Sequence, residues 1–155
     1  MGQLSSLDLK TGWDFRGAED RKLAWWIVQR DKPEYIILSP VFTAFSNMFV
    51  SNCSRMSQEE RLEREVLCME MLLFSVELAW HQAQEGRYFV SEHPLSASSW
   101  QTESMRLLAR AEGVARVELD MCSFGLQVGP DYYSQKPTAV LTNCELVRKE
   151  LEGHR

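Results

Sequence analysis

The chain has 155 residues, 45% hydrophobic and 25% charged, the balance of a folded domain able to bury a sizeable core. A net charge of −5 argues against a stand-alone nucleic-acid binder with a basic face, because phosphate neutralisation supplies most of the affinity of such proteins. No apolar run approaches the roughly 20 residues that cross a bilayer, so the sequence implies no membrane partner.

The start, Met1-Gly2-Gln3-Leu4-Ser5-Ser6, lacks the basic and apolar segments of a secretory signal, although Met1-Gly2 with Ser6 fits the loose myristoylation pattern. The four cysteines, Cys53, Cys68, Cys122 and Cys144, are irregularly spaced and form no C-x-x-C pair. Free thiols in a reducing, intracellular compartment, cytoplasmic or nuclear, are therefore expected, with no zinc site.

Leu4 to Leu9 reads as a short strand that ends in the loop Lys10-Thr11-Gly12-Trp13-Asp14. A helix is predicted over about Ala18 to Arg30, with Leu23, Trp26, Ile27 and Arg30 on its inner side and Trp25 at the rim. Pro33 stops it, since proline disfavours helical geometry in the residue before it. Tyr35-Ile36-Ile37-Leu38 is a continuous run of strand formers, expected to be covered on both faces.

Ser57 and Glu60 have the spacing of a capping box, which opens a long helix to about Glu85. Its predicted inner stripe is Leu62, Val66, Met69, Leu73, Val76 and Trp80, and Gly86 closes it. Its first half, rich in glutamate and arginine, reads as a solvated face. Arg87 to Ser91 is the next strand, breaking at Glu92-His93-Pro94. A helix over Thr102 to Ala111 and a strand over Val114 to Leu119 follow, then a strand over Thr138 to Thr142 and a short helix over Glu145 to Glu152.

Alternation of strands and helices predicts an α/β, Rossmann-like, mostly parallel sheet with helices on both faces, in one domain over residues 1–155. The strands Leu4–Leu9, Tyr35–Leu38, Arg87–Ser91 and Val114–Leu119 are expected to be neighbours. In an open parallel sheet ligands bind outside the carboxyl ends of the strands. Asp8, Asp14, Ser46, Glu92, His93 and Asp120 all follow strand ends, so they are expected at one edge.

Pro40-Val41-Phe42-Thr43-Ala44-Phe45-Ser46 resembles the catalytic loop of cytosine-5 DNA methyltransferases, which reads Pro-Pro-Cys-Gln-x-Phe-Ser after an apolar strand. Glu92-His93-Pro94, after a long helix and the next strand, sits where that family has Glu-Asn-Val. The likeness is strongest from Tyr35 to Pro94. The segments Asp8 to Asp14, His93-Pro94 with Ser96 and Trp100, and Cys122 to Gly125 are also similar to methyltransferase-like reading frames.

The resemblance implies a catalytic loop in which Phe42 stands at the position of the nucleophilic cysteine, with Ser46 closing the motif. It implies Glu92 as the carboxylate that holds the base edge, and His93 and Asp120 beside the substrate. Asp8, Asp14, Ser39 and Pro40 fall on the side of the cofactor, S-adenosylmethionine. The glycine-rich turn that binds this cofactor does not precede Asp8, so the first strand-helix unit of the methyltransferase fold is expected to be absent and cofactor binding weak or lost. Phe42 and Phe45 are expected to lower the dielectric around Glu92.

Two alternatives stand beside this reading. Asp8, Asp14, Glu92 and Asp120 could clamp Mg²⁺ for phosphodiester hydrolysis, which needs carboxylates converging within a few ångströms. Or the open sheet edge pairs with a partner as an interaction module. The partners implied are DNA, or another chain that completes the fold.

Overall fold

The structure, a computed structural model, describes residues 6–129 and 132–153; the side chains of residues 47, 50 and 53 lie outside that description. The chain divides into two compact units, Met1–Glu34 and Tyr35–Arg155.

In the first unit the expected strand Leu4–Leu9 is not formed by its described part. Leu4 and Ser5 lie outside the described residues, and Leu9–Thr11 is a 3-10 turn. The cause is local: the Asp8 carboxylate accepts from the backbone N–H groups of Lys10 and Thr11, and the Thr11 hydroxyl accepts from that of Asp8. Such side-chain bonds offer the backbone an alternative to a ladder. Gly12, at φ 91°, ends the turn.

Helix α1, Ala18–Asp31, forms where expected but is rotated about its axis. Its buried residues are Ala24 and Val28, whereas Leu23 and Trp26 are exposed and Trp25 is half-buried. The exposed Trp26 ring is instead covered by the Arg30 guanidinium, 4.5 Å from its centroid and one turn away. Bulk did not decide the inner face here; a pair of small residues at i and i+4 did.

The second unit is a mixed sheet of four strands, β1 (Tyr35–Leu38), β2 (Tyr88–Pro94), β3 (Ala115–Asp120) and β6 (Pro137–Thr142). Their order is β1-β2-β6-β3, with β1 parallel to β2 and β6 antiparallel to both neighbours. The parallel pairing of Tyr35–Leu38 with Tyr88–Ser91 agrees with the sequence, but β3 is not the neighbour of β2. Among its described residues, the segment between β3 and β6 contains no helix long enough for a crossover. It holds a 3-10 turn and the small ribbon β4 (Gln127–Gly129) with β5 (Tyr132–Tyr133), and the chain returns antiparallel. β1, β2 and β3 nevertheless all point the same way.

Helix α2 (Asn47–Asn52) and α3 (Gln58–Gln84) connect β1 to β2. The capping box of α3 is formed: the Ser57 hydroxyl accepts from the Glu60 N–H, and the Glu60 carboxylate from the Ser57 N–H. The expected inner stripe is displaced. Leu62, Val66 and Leu73 are exposed, while Cys68, Leu72, Ser75, Val76, Ala79 and Gln82 are buried. These fall at spacings of three and four, so the period was legible and the phase was not.

Phe89, fully buried at 0% exposure, joins Leu72, Val76, Ala79, Met105 and Leu108 in one core, with Ile36 and Leu38 packed against it. Met105 and Leu108 come from α4 (Glu103–Ala109), capped by the Thr102 hydroxyl. Tyr35 and Tyr88 stack across β1 and β2, with ring centroids 5.0 Å apart. Helix α5 (Glu145–Leu151) packs against β3 and β6. Among the described residues no helix is long and apolar enough to cross a membrane.

Candidate functional site

The shared direction of β1, β2 and β3 brings the residues after Leu38, those at the end of β2 and Asp120 to one edge of the sheet. Ser39 is exposed and Pro40 buried. Phe42 is 38% exposed, and a 3-10 turn over Thr43–Phe45 carries Phe45 into the core. The Ser46 hydroxyl donates to the Thr43 carbonyl at 2.8 Å and accepts from the Phe49 N–H at 3.1 Å. Its observed work is to hold the end of this turn and the start of α2.

Glu92, His93 and Pro94 do not form the loop expected after the strand. They are the last residues of β2, paired with Val140, Ala139 and Thr138 of β6. Pro94 is tolerated because it stands at the strand's end. Successive residues of a strand point to opposite faces, so Glu92 and His93 are not on the same side. This separation is the main correction to the expected site.

His93 is 1% exposed and lies on the face of Phe89. Its Nε2 is 3.1 Å from the Pro40 carbonyl and its Nδ1 is 2.6 Å from the Ser99 Oγ. A carbonyl can only accept, so Nε2 carries the proton, and the Ser99 hydroxyl donates to Nδ1. The rings of Phe42, Phe45 and Trp100 surround it, with centroids at 6.2, 6.4 and 5.9 Å. Burial is the largest influence on the imidazole and holds its pKa below the ordinary value, partly opposed by the Pro40 carbonyl and Glu92. The two phenylalanines expected around Glu92 therefore desolvate its neighbour instead.

On the other face, Glu92 accepts from Lys136 Nζ at 3.1 Å, with the carboxylate side chain 25% exposed. Asp120 accepts from Gln135 Nε2 at 2.9 Å. Its pairing with Pro137 puts it on the face of Ala139 and His93, opposite to Glu92. A base edge reaching Glu92 would displace, or share, the ammonium of Lys136.

In the first unit Asp8 and Asp14 are both locally committed. Hydrogen bonds from Ser6 and then the Thr11 N–H hold the Asp8 carboxyl below the usual range. The Arg16 guanidinium does the same for Asp14. The Pro40 carbonyl is engaged by His93. The Asp8 and Asp14 side chains are thus engaged within their own turns. No three His, Cys, Asp or Glu side chains among the described residues gather closely enough to hold a metal ion. Glu92 and Asp120, on opposite faces, do not form the start of a Mg²⁺ clamp.

Sequence reasoning missed three participants: Lys136, Ser98, whose hydroxyl donates to the Phe45 carbonyl at 3.3 Å, and Ser99. Ser98 and Lys136 act on partners more than forty residues away, and no local pattern announces them. Arg116 lies over the Trp100 indole at 4.9 Å and pairs with Glu118 at 3.3 Å.

A cavity of about 250 Å³ lies at the opposite edge, by the amino end of β3, lined by Ala115, Thr142, Cys144 and Arg148 among others. It is far from the strand ends that carry the candidate residues, and the strand ends are the better guide to chemistry in such a sheet. No family model, curated protein or solved structure matches the chain.

Proposed function

We propose that the chain is a degenerate or partial cytosine-5 DNA methyltransferase-like domain that transfers no methyl group on its own. The observation that carries this reading is the adjacency of its two motif segments. β1 and β2 are parallel neighbours, so the loop with Phe42 leaves the sheet beside Glu92-His93-Pro94, and the Phe42 and His93 rings are 6.2 Å apart. In a methyltransferase of this type the attacking thiolate and the base-holding carboxylate must meet on one cytosine, whereas Phe42 here meets His93 and Glu92 turns to the other face, a further reason for lost catalysis. Here the first position carries a benzyl group, which can pack but cannot add to carbon 6 of the base. Glu92 keeps acceptor oxygens that can receive the ring and amino N–H groups of a protonated or polarised cytosine edge.

The finer fold reading, a Rossmann-like sheet lacking its first strand-helix unit, is part of the same proposal. β1 is an edge strand in the sheet order, yet Tyr35-Ile36-Ile37-Leu38 has the composition of an internal strand and Ile37 is 71% exposed. A parallel strand from another chain that completes the fold would cover it. S-adenosylmethionine would then be held largely by that partner.

The test is binding of a fluorescent single-stranded cytosine oligonucleotide, read beside transfer of labelled methyl from S-adenosylmethionine to duplex DNA. Weak oligonucleotide binding that Glu92→Ala abolishes, with methyl transfer no greater than in that variant, is expected. Undetectable oligonucleotide binding, or equal binding by the variant, removes the base-recognising role. Methyl transfer above the variant's level defeats the claim of lost catalysis.

A further inference from the structure

His93 joins three separate pieces of the second unit. It stands in β2, its Nε2–H holds the Pro40 carbonyl at 3.1 Å, and its Nδ1 receives the Ser99 hydroxyl at 2.6 Å. The loop from Pro40 to Ser46 has one further side-chain tether from the same quarter, the Ser98 hydroxyl on the Phe45 carbonyl. We propose that His93 is an acid-released latch: while neutral it holds the Pro40–Ser46 loop over the sheet edge, and when protonated it frees that loop.

The neutral ring satisfies both contacts, one nitrogen donating and the other accepting. A proton on Nδ1 reverses the second contact. Ser99, 0% exposed, would have to accept, and its own hydrogen would lose the nitrogen it now binds. The new charge would also be buried with no direct counter-ion contact: the acids on its face, Glu118 and Asp120 of β3, are engaged by Arg116 and Gln135. From the loop His93 meets Pro40, Phe42 and Phe45; from the 3-10 turn Ser98–Gln101 it meets Ser99 and Trp100; its ladder partner in β6 is Ala139. None of these ionises. From α3, Cys68 shares the core cluster of Phe45. Arg116 lies over the Trp100 ring with Glu118 as its partner, and Glu92, on the opposite face, is paired with Lys136.

The least costly way to hydrate the imidazolium is to lift the loop, because Phe42 is already 38% exposed while Phe89 and Leu141, beneath, are fully buried. The loop's own backbone bonds, Phe45 N–H to the Phe42 carbonyl at 2.8 Å and Ser46 N–H to the Thr43 carbonyl at 3.3 Å, report its opening. Release would uncover the carboxyl ends of β1 and β2. This inference does not depend on the methyltransferase-like reading, since it concerns access to the edge and not the chemistry there.

The experiment is native-state hydrogen exchange of the full chain between pH 7.5 and 5, corrected for intrinsic exchange, with the ring carbons of His93 titrated by NMR on the same samples. If the released ring has the ordinary value of about 6.5 and the latched ring takes no proton, the opening constant rises about thirtyfold by pH 5. The expected result is that loss of protection at Phe45 and Ser46, with the Ala139 and Leu141 amides unchanged and a midpoint that coincides with the His93 titration. In His93→Gln, which keeps a donor for Pro40 but cannot titrate, loop protection should become independent of pH. Four results overturn the proposal. They are loop and strand amides losing protection together, His93 titrating with the loop unchanged, a midpoint unrelated to His93, or the same pH dependence in the variant. The titration and exchange of the wild-type chain decide the matter if that variant does not fold.

Discussion

At the scale of single residues, polar side chains in this protein are mostly consumed by the fold. Ser46 holds the start of a helix, Asp8 caps a turn, and Gln82, fully buried, donates to the Tyr88 carbonyl and accepts from Arg87. His93 is a buried group whose pKa is held below the ordinary value by desolvation, and this has a consequence for stability. Its folded-state pKa lies below the ordinary value, so below about 6.5 the unfolded chain takes up a proton that the folded chain resists. Stability from this group is full above that pH and falls as the solution is acidified toward the depressed value, with a limiting slope of about 1.4 kcal/mol per pH unit. Urea denaturation at pH 7.5, 6.5 and 5.5 should show wild type losing stability faster than His93→Gln over this interval. Parallel losses in the two chains would mean that His93 is not buried in its neutral form. The carboxylates with lowered values, Asp8, Asp14, Asp31, Glu60 and Glu145, act in the opposite part of the scale, below their ordinary values near 4.

At the scale of elements, boundaries follow local chemistry while faces follow packing. Ser57 and Glu60 fix the start of α3, and the residues after them are exposed through Val66, so the cap acts on a solvated turn with no core contacts to compensate for its loss. Ser57→Ala is therefore expected to cost about 1 kcal/mol, read as a lower denaturation midpoint at unchanged slope. A change below about 0.3 kcal/mol would mean that the first turns of α3 are not formed cooperatively with the core. The expected stripe of α3 was chosen by large apolar residues, yet the sheet accepts Cys68, Ser75, Ala79 and Gln82 on its side. Close approach to β2 favours small residues, and Gln82 is admitted because the backbone of Tyr88 and the side chain of Arg87 satisfy it.

At the scale of the whole molecule, the main hydrophobic cluster lies in the second unit, while Ala24 and Val28 are the buried apolar residues of α1 in the first. Every residue of that cluster, from Ile36 to Leu141, lies within the second unit. Residues 35–155 alone are expected to unfold in one cooperative step and to retain the burial of Phe89, checked by urea denaturation with near-ultraviolet circular dichroism. A broad transition with no near-ultraviolet signal would show that residues 1–34 are needed for the core.

The amino-acid sequence by itself determined the alternation of strands and helices from Ala18 onward, the capping box at Ser57, the stop at Gly86, and the parallel pairing of β1 with β2. These depend on contacts within a few residues or on the length of a connection, and both are written along the chain. It also brought Pro40–Ser46 and Glu92–Pro94 to one edge, since parallel neighbours must share their carboxyl ends. Only the tertiary structure decided that β6 enters between β2 and β3, because nothing in a short apolar run specifies its partner. It alone placed Glu92 and His93 on opposite faces: a strand that continues three residues further turns an expected pair into two separate sites, one salt-bridged to Lys136 and one sealed among aromatic rings.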